Sequence, residues 1–136
     1  MTDATKLIAG LLLIVMTTIE YGGTFLLGVL SGRYAGLTEF QRSMFRAGHA
    51  HAGVLTILAL VALVFIDQAG LSAPIGWAVR IGFAAAPVLV SAGFFGAAMG
   101  NGSTQPGGLI AFLWIGVFVL GGSLIALEAS LIRARG

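Results

Sequence analysis

Residues 109–132 read LIAFLWIGVFVLGGSLIALEASLI, and Glu128 is the only charged residue among them. At about 1.5 Å per residue, such a run extends through the roughly 30 Å of a bilayer's hydrocarbon core. It is apolar on every side, whereas a helix on a soluble domain keeps a polar face. Three further runs of the same kind precede it, over residues 7–30, 44–66 and 75–99. In a chain of 136 residues these four spans and their short connections leave no room for a soluble catalytic domain. The expectation is one domain over residues 1–136, an all-α integral membrane protein built as an antiparallel four-helix transmembrane bundle.

Composition agrees. Hydrophobic residues make up 58% of the chain and charged residues 9%, against about a quarter charged in soluble domains. The formal charge of +2 comes from a few basic residues near span ends, so it indicates no nucleic-acid surface. The absence of cysteine excludes disulfides, thiolate metal sites and cysteine nucleophiles. The first apolar run is too long for the core of a secretory signal, about 7–15 residues, so no cleaved leader is expected. Phosphate-loop, serine-nucleophile and zinc-protease motifs are absent.

The boundaries carry their own signals. Lys6 precedes the first span and Ser31-Gly32-Arg33 closes it. Thr38-Glu39-Phe40-Gln41 has the capping-box pattern, so a helix begins there and its first turns, through Arg46, lie at the interface. Asp67-Gln68-Ala69-Gly70 ends the second span. Ser72-Ala73-Pro74 predicts a hydroxyl-capped helix start with proline in the first turn, and Pro87 predicts a kink in the third span. Residues 101–108 form the longest polar connection, which includes the sequon Asn101-Gly102-Ser103, and Arg133 and Arg135 anchor the end of the fourth span. Lys6, Arg80, Arg133 and Arg135 fall on one side, and Arg33, Arg42 and Arg46 on the other. Four against three does not settle orientation; the expectation is a bacterial cytoplasmic membrane with both termini in the cytoplasm. The chain has 21 glycines, and Gly82/Ala86, Gly93/Ala97 and Gly96/Gly100 form small-xxx-small pairs. Such pairs serve either packing within the bundle or a homo-oligomer face on the third span.

Ionisable groups at membrane depth each cost about 2.5 kcal/mol or more, so they need a partner or a purpose. Glu20 lies in Thr17-Thr18-Ile19-Glu20-Tyr21-Gly22-Gly23-Thr24, the most polar stretch inside any span. Counted from the first loop, Glu20 reaches the depth of His49 and His51, which makes it a candidate partner for Arg46, His49 or His51. It reads as a protonatable site with Tyr21 and His49, as a carboxylate orienting a histidine, or as half of an ion pair locking two helices. The chain's two histidines stand in Phe45-Arg46-Ala47-Gly48-His49-Ala50-His51-Ala52-Gly53. Two residues apart on a helix is about 200°, so they face opposite ways and cannot hold one metal together. Gly48 and Gly53 would leave room for a flat cofactor. Haem with one of these ligands would be five-coordinate, shared across a subunit interface, or completed by Met16. Copper or zinc across an interface would take Glu20 as a further ligand. The same imidazoles can instead bond neighbouring helices or relay protons. Arg80 and Glu128, at similar depth near the termini, read as a structural ion pair.

Residues 45–53 resemble a His-containing helix opening of heme-copper oxidase and nitric-oxide-reductase-like membrane proteins. The resemblance implies a haem-ligand role for His49 or His51. Those proteins have many more spans and further histidine ligands, which argues against oxygen reduction by this chain alone. Three functions follow as expectations. The first is a site at His49 and His51 holding haem b or a transition metal, with Arg46 on a haem propionate, for electron transfer, sensing or a larger respiratory complex. The second is a proton-coupled transporter or channel using Glu20 and His49. The third is a structural accessory subunit without a cofactor. A homo-oligomer or a larger complex is expected in each case, with lipid and no nucleic acid as partner.

Overall fold

The structure, a computed structural model, describes residues 1–134; Arg135, expected to anchor the last helix, lies outside them. The described chain is helical. α1 spans Asp3–Leu30, α2 Glu39–Ile66, α3 Ala73–Ala97 and α4 Ala111–Arg133, with a 3-10 turn at Gly108–Ile110 leading into α4. All four are long and apolar enough to cross a membrane.

The helix starts follow from their caps. Thr2 accepts from the Thr5 backbone N–H at the start of α1. At α2, the Thr38 hydroxyl accepts from the Gln41 N–H while the Gln41 side-chain oxygen accepts from the Thr38 N–H, completing the capping box. The amide nitrogen of Gln41 also donates to the carbonyls of Ala98 and Gly100, at 2.9 and 2.8 Å. One buried side chain thus caps α2 and satisfies carbonyls at the end of α3. The expected hydroxyl cap on α3 is not made: Ser72 occupies the N-cap position, but its side chain bonds no helix N–H. Pro74 removes one of the amides that such a hydroxyl would meet. α3 continues through Pro87, which is fully buried.

The four helices do not form a closed bundle. α3 is central and packs on α2 and α4, α1 packs mainly on α2, and α1 and α4 do not meet among the described residues. Half of the apolar window of α3 is buried, against 11% for α4. The core runs along the inner faces, with Leu12 from α1, Ala59 and Leu63 from α2, Val79 and Phe83 from α3, and Leu127 from α4.

Glycine sets the α3–α4 distance. A Cβ on Gly93 would overlap the backbone of Leu113, one on Gly82 would overlap the Ser123 hydroxyl, and one on Gly116 would come within 2.9 Å of the Val90 nitrogen. Gly82 and Gly93 of α3 are therefore taken up by α4 of the same chain and Gly96 by Leu109 of the turn before it, which is the packing alternative of the two read from the sequence. Large apolar side chains stand open on the outside of α1 and α4, Leu27, Phe118 and Ile125 among them.

Candidate functional site

The most polar part of α1 presents one outward stripe. Thr17, Glu20, Tyr21 and Thr24 recur at helical spacing, and all four are exposed. Thr17, Thr18 and Thr24 satisfy their hydroxyls on their own helix, on the carbonyls of Leu13, Val15 and Tyr21. Glu20 has no such recourse. It makes no hydrogen bond or ion pair among the described residues.

The two histidines sit on opposite sides of α2, as their spacing requires. His49 is half-buried and faces α1, its ring against Gly22 and Gly23. A Cβ on Gly23 would lie 3.7 Å from His49 Cε1 and 3.8 Å from Nε2. The glycine pair is thus a shallow seat for an imidazole. Measured the short way, Gly22 and Gly23 stand about 160° and 60° around α1 from Glu20, so the seat they form is centred about 110° away from it. That rotation explains why the expected partnership fails: Glu20 matches the histidines in depth but makes no hydrogen bond with His49, His51 or Arg46. Arg46 is itself exposed.

His51 is exposed and differently held. Its Nδ1 lies 2.8 Å from the carbonyl oxygen of Ala47, one turn back. A carbonyl can only accept, so the neutral ring carries its proton on Nδ1 and keeps its lone pair on Nε2. The ring packs on Phe94 of α3, with centroids 4.8 Å apart and planes inclined by 36°. These contacts fix both tautomer and orientation, as a backbone carbonyl does for metal-bound histidine.

Gly48 does not leave the expected space for a cofactor. Phe94 and Phe95 fill it, and a Cβ there would meet the Phe95 ring at 3.0 Å. Phe95 in turn stacks on Phe45, which meets Phe25 edge-on. Gly53, by contrast, is open. No group of three His, Asp or Glu residues able to hold a metal occurs among the described residues.

A second polar cluster closes the opposite end, and it overturns the expected Arg80–Glu128 pair. Arg80 donates to the Asp67 carboxylate at 2.6 Å and to the Thr5 hydroxyl at 2.9 Å. Asp67 also accepts from the Thr5 hydroxyl at 2.6 Å and from the Thr2 N–H at 2.8 Å. Glu128 is exposed on α4. Two features decide the outcome. The short connection after α2 returns Asp67 to the level of Arg80. Gly76, one turn before Arg80, gives the guanidinium room to fold back, since a Cβ there would lie 2.9 Å from Nη1. Burial pushes the Asp67 carboxyl up, but the hydrogen bonds from Thr5, Thr2 and Arg80 outweigh it and hold the group well below the usual carboxylate range. The sequence signal for this cluster was Asp67 itself, an acid at a helix C-terminus, where the macrodipole is unfavourable without a cation nearby. Asp67 and Arg80 line a cleft of about 310 Å³ with Thr2, Ser72 and Trp77.

Five clefts of about 310–430 Å³ have none of Glu20, His49 or His51 in their walls. Comparison with known protein families, curated proteins and solved structures found no match for the chain.

Proposed function

We propose a multi-pass membrane protein that uses His51 to hold haem b or a transition-metal ion near mid-bilayer, serving electron transfer, sensing or a larger respiratory complex. The placement we favour is a bacterial cytoplasmic membrane with both termini inside. The observation that carries the reading is the bond from His51 Nδ1 to the Ala47 carbonyl, which leaves Nε2 as an oriented, exposed electron-pair donor. An imidazole that ties helices together bonds a group on a neighbouring helix, whereas His51 bonds only the carbonyl of its own helix. His49, seated on Gly22 and Gly23, is a packing residue in this account. Arg46, five residues before His51 and so about 140° around α2 from it, stands on the side of His49 and not beside the His51 ligand position.

The donor set fits the group in part. Imidazole is a good ligand for haem iron, copper and zinc, and the open outer face of α2 around His51 and Val54 does not obstruct approach. When bound, the metal supplies redox or Lewis-acid chemistry. The protein's own share is to hold Nε2 in place and to surround it with a medium of low dielectric. The proton-coupled reading needs Glu20 beside His49, and these side chains share no hydrogen bond.

The test is an absorption spectrum and metal analysis of the protein purified in mild detergent. Bound haem or metal should disappear in His51→Ala and persist in His49→Ala. A colourless, metal-free wild-type protein, expressed with haem and metals supplied, overturns the reading.

A further inference from the structure

We infer that the His51 site is completed by Glu20 of a neighbouring copy of this chain, the two together holding a divalent transition-metal ion between subunits. The inference rests on His51 being a ligand and adds where the missing donor comes from.

Depth carries the argument. His49 touches Gly22 and Gly23, which fixes the register of α1 against α2. Moving away from the first loop, His51 lies two residues beyond His49, about 3 Å. Glu20 lies two and three residues beyond Gly22 and Gly23 in the same direction, about 3–4.5 Å. The two groups therefore share one level to within about a residue's rise. Both are exposed, and neither meets the other within the chain. A rotation axis normal to the membrane preserves depth, so in any cyclic assembly Glu20 of one copy stands level with His51 of the next.

Chemistry selects what lies between them. A carboxylate in hydrocarbon costs about 2.5–3.5 kcal/mol unless it is paired. The Nε2 of His51 offers a lone pair, so two acceptors would face one another, and a cation is what satisfies both. Carboxylate oxygen and imidazole nitrogen are the donors of zinc and related ions. Binding would release to water any proton carried by Glu20 and would change no oxidation state. The exposed stripe of Thr17, Tyr21 and Thr24 around Glu20 gives the contact a polar margin.

Complementation between variants tests this. Zn2+ retained after dialysis is measured on protein in lipid nanodiscs. Glu20→Gln alone and His51→Ala alone should each lose bound zinc. A mixed assembly of the two, purified through a different tag on each, should recover zinc, about half of the wild-type amount if the assembly is a dimer, because one of its two contacts keeps both donors. Zinc retained in Glu20→Gln but lost in His51→Ala overturns the shared site and leaves His51 as a ligand; a wild-type protein that takes no zinc but binds haem overturns the shared site alone, and one that takes neither overturns both claims. Because the chain has no cysteine, Glu20→Cys co-expressed with His51→Cys gives a clean second measurement. An oxidative cross-link between the two variants supports the contact, and its absence in lipid overturns it. Cross-linking without zinc retention in the wild type leaves a hydrogen-bonded pair and overturns the metal site.

Discussion

Removing Arg80 should weaken the protein more than removing its whole ion pair. The guanidinium and the Asp67 carboxylate are 2.6 Å apart, with side chains only 10% and 12% exposed. Breaking one half of a buried pair costs about 3–5 kcal/mol, because the other charge is left without compensation. The slight exposure of both groups places Arg80→Met near the lower end, about 3 kcal/mol, or roughly two decades in the unfolding equilibrium. Asp67→Leu alone should cost a similar amount, since it strands Arg80 as well as the Thr5 hydroxyl and the Thr2 N–H. The double variant strands no buried charge and should cost less than either single one, which means a coupling of about 3 kcal/mol or more. The assay is reversible unfolding by SDS in mixed micelles, followed by Trp77 fluorescence, because Trp77 lines the same cleft. Additive losses, or a neutral Arg80→Met, would refute the reasoning.

Acid should weaken the same cluster. Asp67 titrates below its ordinary value of 3.8 in the folded protein, so its contribution is complete above that value and is lost as pH falls beneath it; Asp67→Asn should remove this part of the acid response in an SDS midpoint series. Gly93→Ala should lower stability by about 1–3 kcal/mol through overpacking against Leu113, whereas Gly121→Ala, where the added methyl meets open space, should leave the thermal midpoint in detergent unchanged. Gln41→Ala should cost about 1–3 kcal/mol by orphaning the carbonyls of Ala98 and Gly100, and hydrogen exchange should rise at the start of α2.

The helices were legible because long apolar runs bounded by caps admit few readings, and the Thr38–Gln41 box was readable to the residue. The opposed placement of His49 and His51 was also legible, since 100° per residue is a geometric constant of the helix. What the sequence did not disclose was rotation. Depth can be counted from a loop, so Glu20 was placed level with the histidines, but which way it points depends on how α1 turns against α2. α3 and α4 are nearly as apolar on one side as on the other, so no stripe announces that α3 is central and α4 peripheral. The same gap misassigned Arg80. Glu128 had the right depth and charge, but Asp67, Thr2, Thr5 and the space above Gly76 hold the guanidinium instead. The glycines of α3 were legible as close-packing sites, but not as sites belonging to α4, because a small residue does not specify what approaches it.

The orientation of His51 can be measured directly. Long-range nitrogen–proton correlation of the histidine rings in detergent or nanodiscs distinguishes the tautomers. A neutral His51 with its proton on Nδ1, and an Nε2 resonance that moves when Zn2+ or haem is added while that of His49 stays, is the predicted result. A proton found on Nε2, or an Nε2 resonance indifferent to both ligands, would contradict it.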